Sequence, residues 1–259
     1  MAQVTGRGRR GNLNWLFLPL LNFLIRYRRT ALGPLWLLVG PSLFVVALGA
    51  LFAEVGAVDV SVFLPHLAIG LVTWALINGY ITGAATVFQR NRGQVLNGGI
   101  PLADIVRTEV ITGLLTFGHQ VFVVVGVFLY FGIMPTLYAF VSISGLLFVV
   151  ANGIWTTKVF GIIGARYRDL AEIFSALMGI FFLATPIIWM PGDGMGRSVM
   201  DVFLTYNPFF HFIELVRAPL LGNPVSPSSW IVVIAITFGG FLLAGYFDKR
   251  YARFVPLWI

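Results

Sequence analysis

Val110 to Thr157 reads VITGLLTFGHQVFVVVGVFLYFGIMPTLYAFVSISGLLFVVANGIWTT, 48 residues without one Asp, Glu, Lys or Arg. A membrane-spanning helix needs about 20 mainly apolar residues, so this stretch is too long for one span and fits two. Glycine and proline at Gly132-Ile-Met-Pro135 favour a tight turn and place the break there. Two charge-free spans back to back are a membrane signature, because a helix in lipid must satisfy every backbone polar group internally and needs no charge to do so.

The rest of the chain repeats the pattern. Thr30–Ala53 supplies a span over roughly 35–53, and Val60–Gln89 one over roughly 64–86. Ile173–Met190 and Trp230–Phe247 supply the last two. Over 259 residues the hydrophobic fraction is 58% and the charged fraction 10%, against roughly 25% charged in an ordinary soluble domain. The absence of cysteine excludes disulfides, thiolate chemistry and cysteine metal sites. No small-residue cleavage site follows the basic start, which argues against a cleaved signal peptide.

The positive charges orient the spans. Fifteen of the seventeen basic residues fall in 1–34, in the second-to-third and fourth-to-fifth connections, and in the C-terminal tail. Only Arg197 and Arg217 fall on the other side. Such asymmetry marks the basic side as cytoplasmic and explains the net charge of +7 without nucleic acid. The expectation is an all-α membrane protein of six transmembrane helices with both termini cytoplasmic. It divides into a cytoplasmic N-terminus with an interfacial helix (1–34), a six-span domain (35–247) and a cytoplasmic tail (248–259). In the interfacial stretch, Asn22, Arg26 and Arg29 share one helical face, with Trp15, Phe17, Leu21, Phe23 and Leu24 over much of the rest. The long outer segment 191–229 is partly apolar, and either dips into the outer leaflet as short helices or forms a surface loop.

Several chemistries are missing. Lys158 and Lys249, the two lysines, are not followed by Ser or Thr in a glycine-rich frame, so the chain has no phosphate-binding loop for ATP. His66, His119 and His211 are scattered, and no metal site is expected. The predicted spans hold no Asp or Glu, whereas ion-coupled carriers place ionisable groups at membrane depth. Energy is therefore expected from another chain, through the cytoplasmic loops 89–107 and 164–173. Arg90, Arg92, Asp104 and Arg107 in the first, and Arg166, Tyr167, Arg168, Asp169 and Glu172 in the second, alternate with apolar residues at helix-like spacing. Short amphipathic helices of this kind dock into a partner's cleft; simple positive-inside anchoring would need only the arginines. On the outside, Asn207-Pro208 can start a helix on which Glu214 and Arg217 stand i, i+3 and can pair with each other or with a second copy. Asn207, Pro208, Phe210, Glu214 and Arg217 form a candidate outer gate, with Phe209 and Phe212 completing its seal.

These residues also carry a resemblance. Arg26-Tyr-Arg-Arg-Thr-Ala-Leu-Gly-Pro-Leu-Trp36, Pro41, Gly70-Leu-Val-Thr-Trp74, Ala165-Arg-Tyr-Arg-Asp169, Thr185-Pro186, Asn207-Pro208, Arg217 and the closing Pro-Leu-Trp-Ile259 occur in order over some 230 residues. The chain resembles the permease subunits of ABC transporters that export cell-surface polysaccharides such as O-antigen, capsule and teichoic acid. It departs from many of them in Val95–Pro101, which carries no lysine. The resemblance implies a half-transporter of the ABC type-2 exporter kind in a bacterial inner membrane, a homodimer with two separate ATPase subunits. ATP and Mg would be bound by those subunits and no cofactor by this chain, which would not be an enzyme. The implied cargo is a lipid-linked glycan. Trp74, Tyr80, Trp155 and Phe160 would then offer rings for sugar faces along the pathway, or serve as interfacial anchors, which Trp and Tyr favour anyway. A permease for a drug, lipid or other small amphiphile shares this fold, and a channel or scaffold without an ATPase is a third reading.

Overall fold

The computed structural model describes residues 14–28, 30–55, 59–98, 100–190 and 204–259. Their α-helices include α1 (Asn14–Tyr27), α2 (Trp36–Val55), α3 (Val60–Arg90), α4 (Arg92–Leu96), α5 (Leu102–Phe131), α6 (Val141–Arg166), α7 (Leu170–Ala184), α8 (Pro208–Leu220), α9 (Pro227–Tyr251) and α10 (Val255–Trp258). The charge-free stretch divides as its turn residues require. α5 stops at Phe131 because Gly132 takes a left-handed conformation (φ 66°), and the Ile133 N–H closes the end on the Phe128 carbonyl at 2.9 Å.

Five helical segments among the described residues are long and apolar enough to cross a membrane: Gly33–Glu54, Val60–Arg90, Leu102–Phe131, Leu137–Arg166 and Pro227–Trp258. The span expected over Ile173–Met190 takes a different form. Its helix, α7, has 15 residues, about 22 Å of rise against a hydrocarbon core of about 30 Å. Thr185 ends it in an extended conformation (ψ 137°), the geometry that a following proline imposes on its neighbour. The chain then turns inside the protein, with Thr185, Pro186 and Ile187 buried.

α3 is the axis of the fold. It packs against α2, α5, α6, α7 and α8, and Leu67, Ala68, Ala84 and Val87 along it are fully buried. α6 approaches it closely because α6 carries glycines on the shared face. A Cβ at Gly164 would collide with the Ala85 backbone, and one at Gly153 with the Tyr80 ring; small residues at such contacts bring membrane helices together. A second apolar cluster lies at the basic end, where Val255 of α10 is buried among Val87, Phe88, Val95, Ile105, Val106 and Ile162. The opposite surfaces are apolar and open: Leu43 and Val46 of α2, and Ile231, Phe238 and Leu242 of α9, are exposed. Water would penalise so much exposed apolar area, whereas lipid does not.

α1 packs along α5, with Phe23 buried beside His119 at a ring separation of 5.0 Å. Phe17, Leu20, Leu21, Leu24 and Ile25 are exposed. The polar face expected of Asn22, Arg26 and Arg29 lies outside the described side chains, as do the structure of residues 1–13 and that of 191–203 in the outer segment.

Candidate functional site

Three groups of side chains stand out along α3. The first is near its N-terminal end, where α8 meets the buried turn after α7. Asn207 caps α8 by accepting the Phe209 N–H at 3.0 Å, and Pro208 takes the first helical position, where no N–H is needed. The Asn207 amide donates to the Thr185 hydroxyl at 2.8 Å. Glu214 and Arg217 pair at 2.8 Å, as i, i+3 spacing predicts. Arg217 is almost fully buried, and it also donates to the Pro186 carbonyl at 2.6 Å and lies 3.0 Å from Nε2 of His66 on α3. The same His66 nitrogen lies 3.1 Å from the Pro186 carbonyl, so guanidinium, imidazole and carbonyl form one polar cluster. The pair expected to line a gate is thus also a knot holding three segments together within one chain. The irregular backbone after α7 is tolerated at this depth because Arg217 and Asn207 satisfy it.

The second group surrounds a cavity of about 230 Å³ between α3, α6, α8 and α9. Tyr80, Trp155 and Phe160, three of the four sequence-nominated aromatics, line it together with Phe209 and Phe212. Trp74, the fourth, stacks edge-on against Phe209 at 5.4 Å. The aromatics and the outer helix are therefore one arrangement: the first turns of α8 form a wall of the aromatic cavity. Phe210 packs instead against the neighbouring His211 ring at 5.3 Å. Two of the rings are held by hydrogen bonds. The Tyr80 hydroxyl donates to the Val110 carbonyl at 2.9 Å, and the Trp155 indole donates to Asn152, whose amide reaches Thr237 of α9 at 2.6 Å.

The third group is at the basic end. Arg90 pairs with Glu109 at 2.7 Å and donates to the Gly83 carbonyl. Arg107 pairs with Asp104 at 2.8 Å in the first turn of α5. Arg92 is exposed on α4, and Arg166, Tyr167, Arg168, Asp169 and Glu172 are exposed around the α6–α7 connection. Among the described residues no ion pair joins the two loops. They are tied through α10, which packs on both α4 and α6, and through Gln89, whose amide donates to the Gly164 carbonyl at 2.7 Å.

Sequence reasoning missed His66, Glu109, the Lys158–Asp248 pair (2.9 Å) and the Asn152–Thr237 contact. A signal existed for the Lys–Asp pair: both residues flank spans at the same level of the predicted topology. His66 and Glu109 gave none, since their partners lie on other helices.

No family model matches the chain. Among known proteins it is similar to the O-antigen export system permease protein RfbA of Myxococcus xanthus, 26% identical over 197 residues covering 74% of each chain. Two such permeases of Klebsiella pneumoniae are 25% and 24% identical over 260 residues, 95% of this chain and 97% of theirs. Among the described residues the fold is helical with five segments long and apolar enough to cross a membrane, and over most of its length the chain is similar to permeases of O-antigen export systems.

Proposed function

We propose that this chain is a transmembrane permease that moves a lipid-linked polysaccharide such as O-antigen out of the cytoplasm across a bacterial inner membrane, as one half of a homodimer driven by two separate ATPase subunits. The observation that carries this reading is the cavity walled by Tyr80, Trp155, Phe160, Phe209 and Phe212. Aromatic faces suit the apolar faces of sugar rings, and α8 contributes a wall from the outer side, so moving α8 would connect the cavity with the exterior. Six crossings account for both termini lying with the basic residues. In this topology α7 and the turn it leads into make the short fifth crossing, and α8 returns into the outer leaflet as the gate. The loops at 89–107 and 164–173, clamped together by α10, take the ATPase stroke as one unit. ATP would favour one arrangement of the bundle only through differential contacts with it.

The cysteine-free chain allows a direct test. A single Phe212→Cys variant, with Phe212 only 7% exposed, should resist a membrane-impermeant thiol reagent at rest and react during ATP turnover in the assembled complex. Equal labelling in both states would remove α8 as a gate. Loss of cell-surface polysaccharide on deleting the gene, with drug and lipid efflux unchanged, is the expected phenotype; the reverse pattern would favour a small-amphiphile permease.

A further inference from the structure

The basic end holds a cleft that the translocation pathway does not use. It has a volume of about 550 Å³ and lies between the ends of α6 and α9 and the C-terminal residues. Its walls are Ile162, Ile163, Phe247, Tyr251, Phe254 and Trp258, with Arg166 and Tyr167 at the mouth. Among the described residues, Arg166 is the only ionised one lining it. Its guanidinium sits over the Trp258 ring at 5.6 Å, and Trp258 stacks with Phe254 at 5.8 Å. Lys249, Arg250 and Arg253 are exposed nearby, whereas Asp248 is taken up by Lys158.

Polarity in this cleft changes along the axes of α6 and α9. Ile162 and Ile163 lie three and four residues further into α6 than Arg166, about 5–6 Å deeper. On α9, Phe247 shares a face with the exposed Leu243, four residues further in, so the apolar wall continues as a track toward the membrane interior. Cations and aromatics at the interface above an apolar track match an amphiphile with an anionic head. Basic pockets between helices on the cytoplasmic side are the usual form of such sites, and a soluble protein surface would have no use for the deep apolar part.

We propose that this cleft binds one anionic glycerophospholipid of the inner leaflet, its phosphate against Arg166 and the Tyr167 hydroxyl and an acyl chain along Phe247 and Leu243. The site is independent of the exported cargo, and none of the readouts below involves that cargo. The full chain, delipidated in detergent and offered defined lipids, is examined by native mass spectrometry. One phosphatidylglycerol per chain should be retained in preference to phosphatidylethanolamine. Retention should fall roughly fivefold in Arg166→Gln, the factor expected for one basic side chain at an anionic membrane surface. Arg166→Lys should recover most of it, and Arg168→Gln, a neighbouring cation off the cleft, should retain as the wild type does. Equal retention of both lipids, equal losses in the two Gln variants, or preferential retention of a polyprenyl phosphate would each overturn the assignment. A second measurement needs no mutation of the arginine. In the complex with its ATPase, brominated phosphatidylglycerol should quench the part of the fluorescence that Trp258→Phe removes; no quenching of that part would mean that protein, not lipid, covers the cleft.

Discussion

Arg217 illustrates how one side chain can hold a membrane fold together. It is buried, bonded to Glu214, facing His66 and capping the Pro186 carbonyl. Removing one partner of a buried ion pair leaves the other uncompensated, at a cost of about 3–5 kcal/mol, while replacing both with apolar groups is often close to neutral. Glu214→Ala should therefore lower the thermal stability of the detergent-purified protein sharply, and Glu214→Ala combined with Arg217→Met should recover much of the loss. Additive losses in the double variant would mean that the pair is not coupled. Tyr80 offers a milder case: Tyr80→Phe keeps the ring in the cavity and loses only the bond to the Val110 carbonyl, about 1 kcal/mol. Export should persist if the ring face matters, and fall strongly if the hydroxyl does. Spacing alone made the Glu214–Arg217 pair legible, because i, i+3 residues on any helix are neighbours. Neither His66 nor Pro186 was legible as a partner, since 151 residues separate His66 from Arg217.

At the scale of elements, the α3–α6 contact depends on glycine. Gly164→Leu would drive a side chain into the Ala85 backbone; overpacking of this kind typically costs about 1–3 kcal/mol. The expected result is reduced yield and early melting of the purified protein, whereas Gly239→Leu on α9, where a Cβ meets open space, should be tolerated. The loop between α6 and α7 is exposed and carries Arg168 and Asp169. Charge-assisted hydrogen bonds to a docking partner are each worth about 1.5–3 kcal/mol. Asp169→Ala should therefore weaken ATPase stimulation by an order of magnitude or so while the protein still inserts and dimerises; unaltered stimulation would leave this loop a simple membrane anchor. The boundaries of α5 and α6 followed from Gly132 and Pro135, which act locally. The early end of α7 also has a local cause, in Thr185-Pro186, but hydropathy over Ile173–Met190 concealed it. An apolar run measures only how readily residues enter lipid, and not whether the backbone inside it stays helical.

For the whole molecule, topology is the quantity to measure. Reporter tags at residue 2, within 91–99 and at residue 259 should all report the cytoplasm, and one at Gly194 the exterior; a Gly194 tag protected in intact spheroplasts would remove the short fifth crossing. Composition and the recurrence of charge-free stretches determined by themselves that the chain is a helical membrane protein, and the one-sided placement of arginine and lysine predicts the orientation that the tags measure. Lipid leaves few solutions, since backbone groups must be bonded within each helix and cations are costly to carry across. The tertiary structure alone decided that Arg217 fastens α8 to α3, that the aromatics and α8 enclose one cavity, and that α10 joins the loops at 89–107 and 164–173. Each of these rests on contacts between residues far apart in the chain, chosen by side-chain volume and by the pairing of buried polar groups, and neither local periodicity nor composition records such contacts.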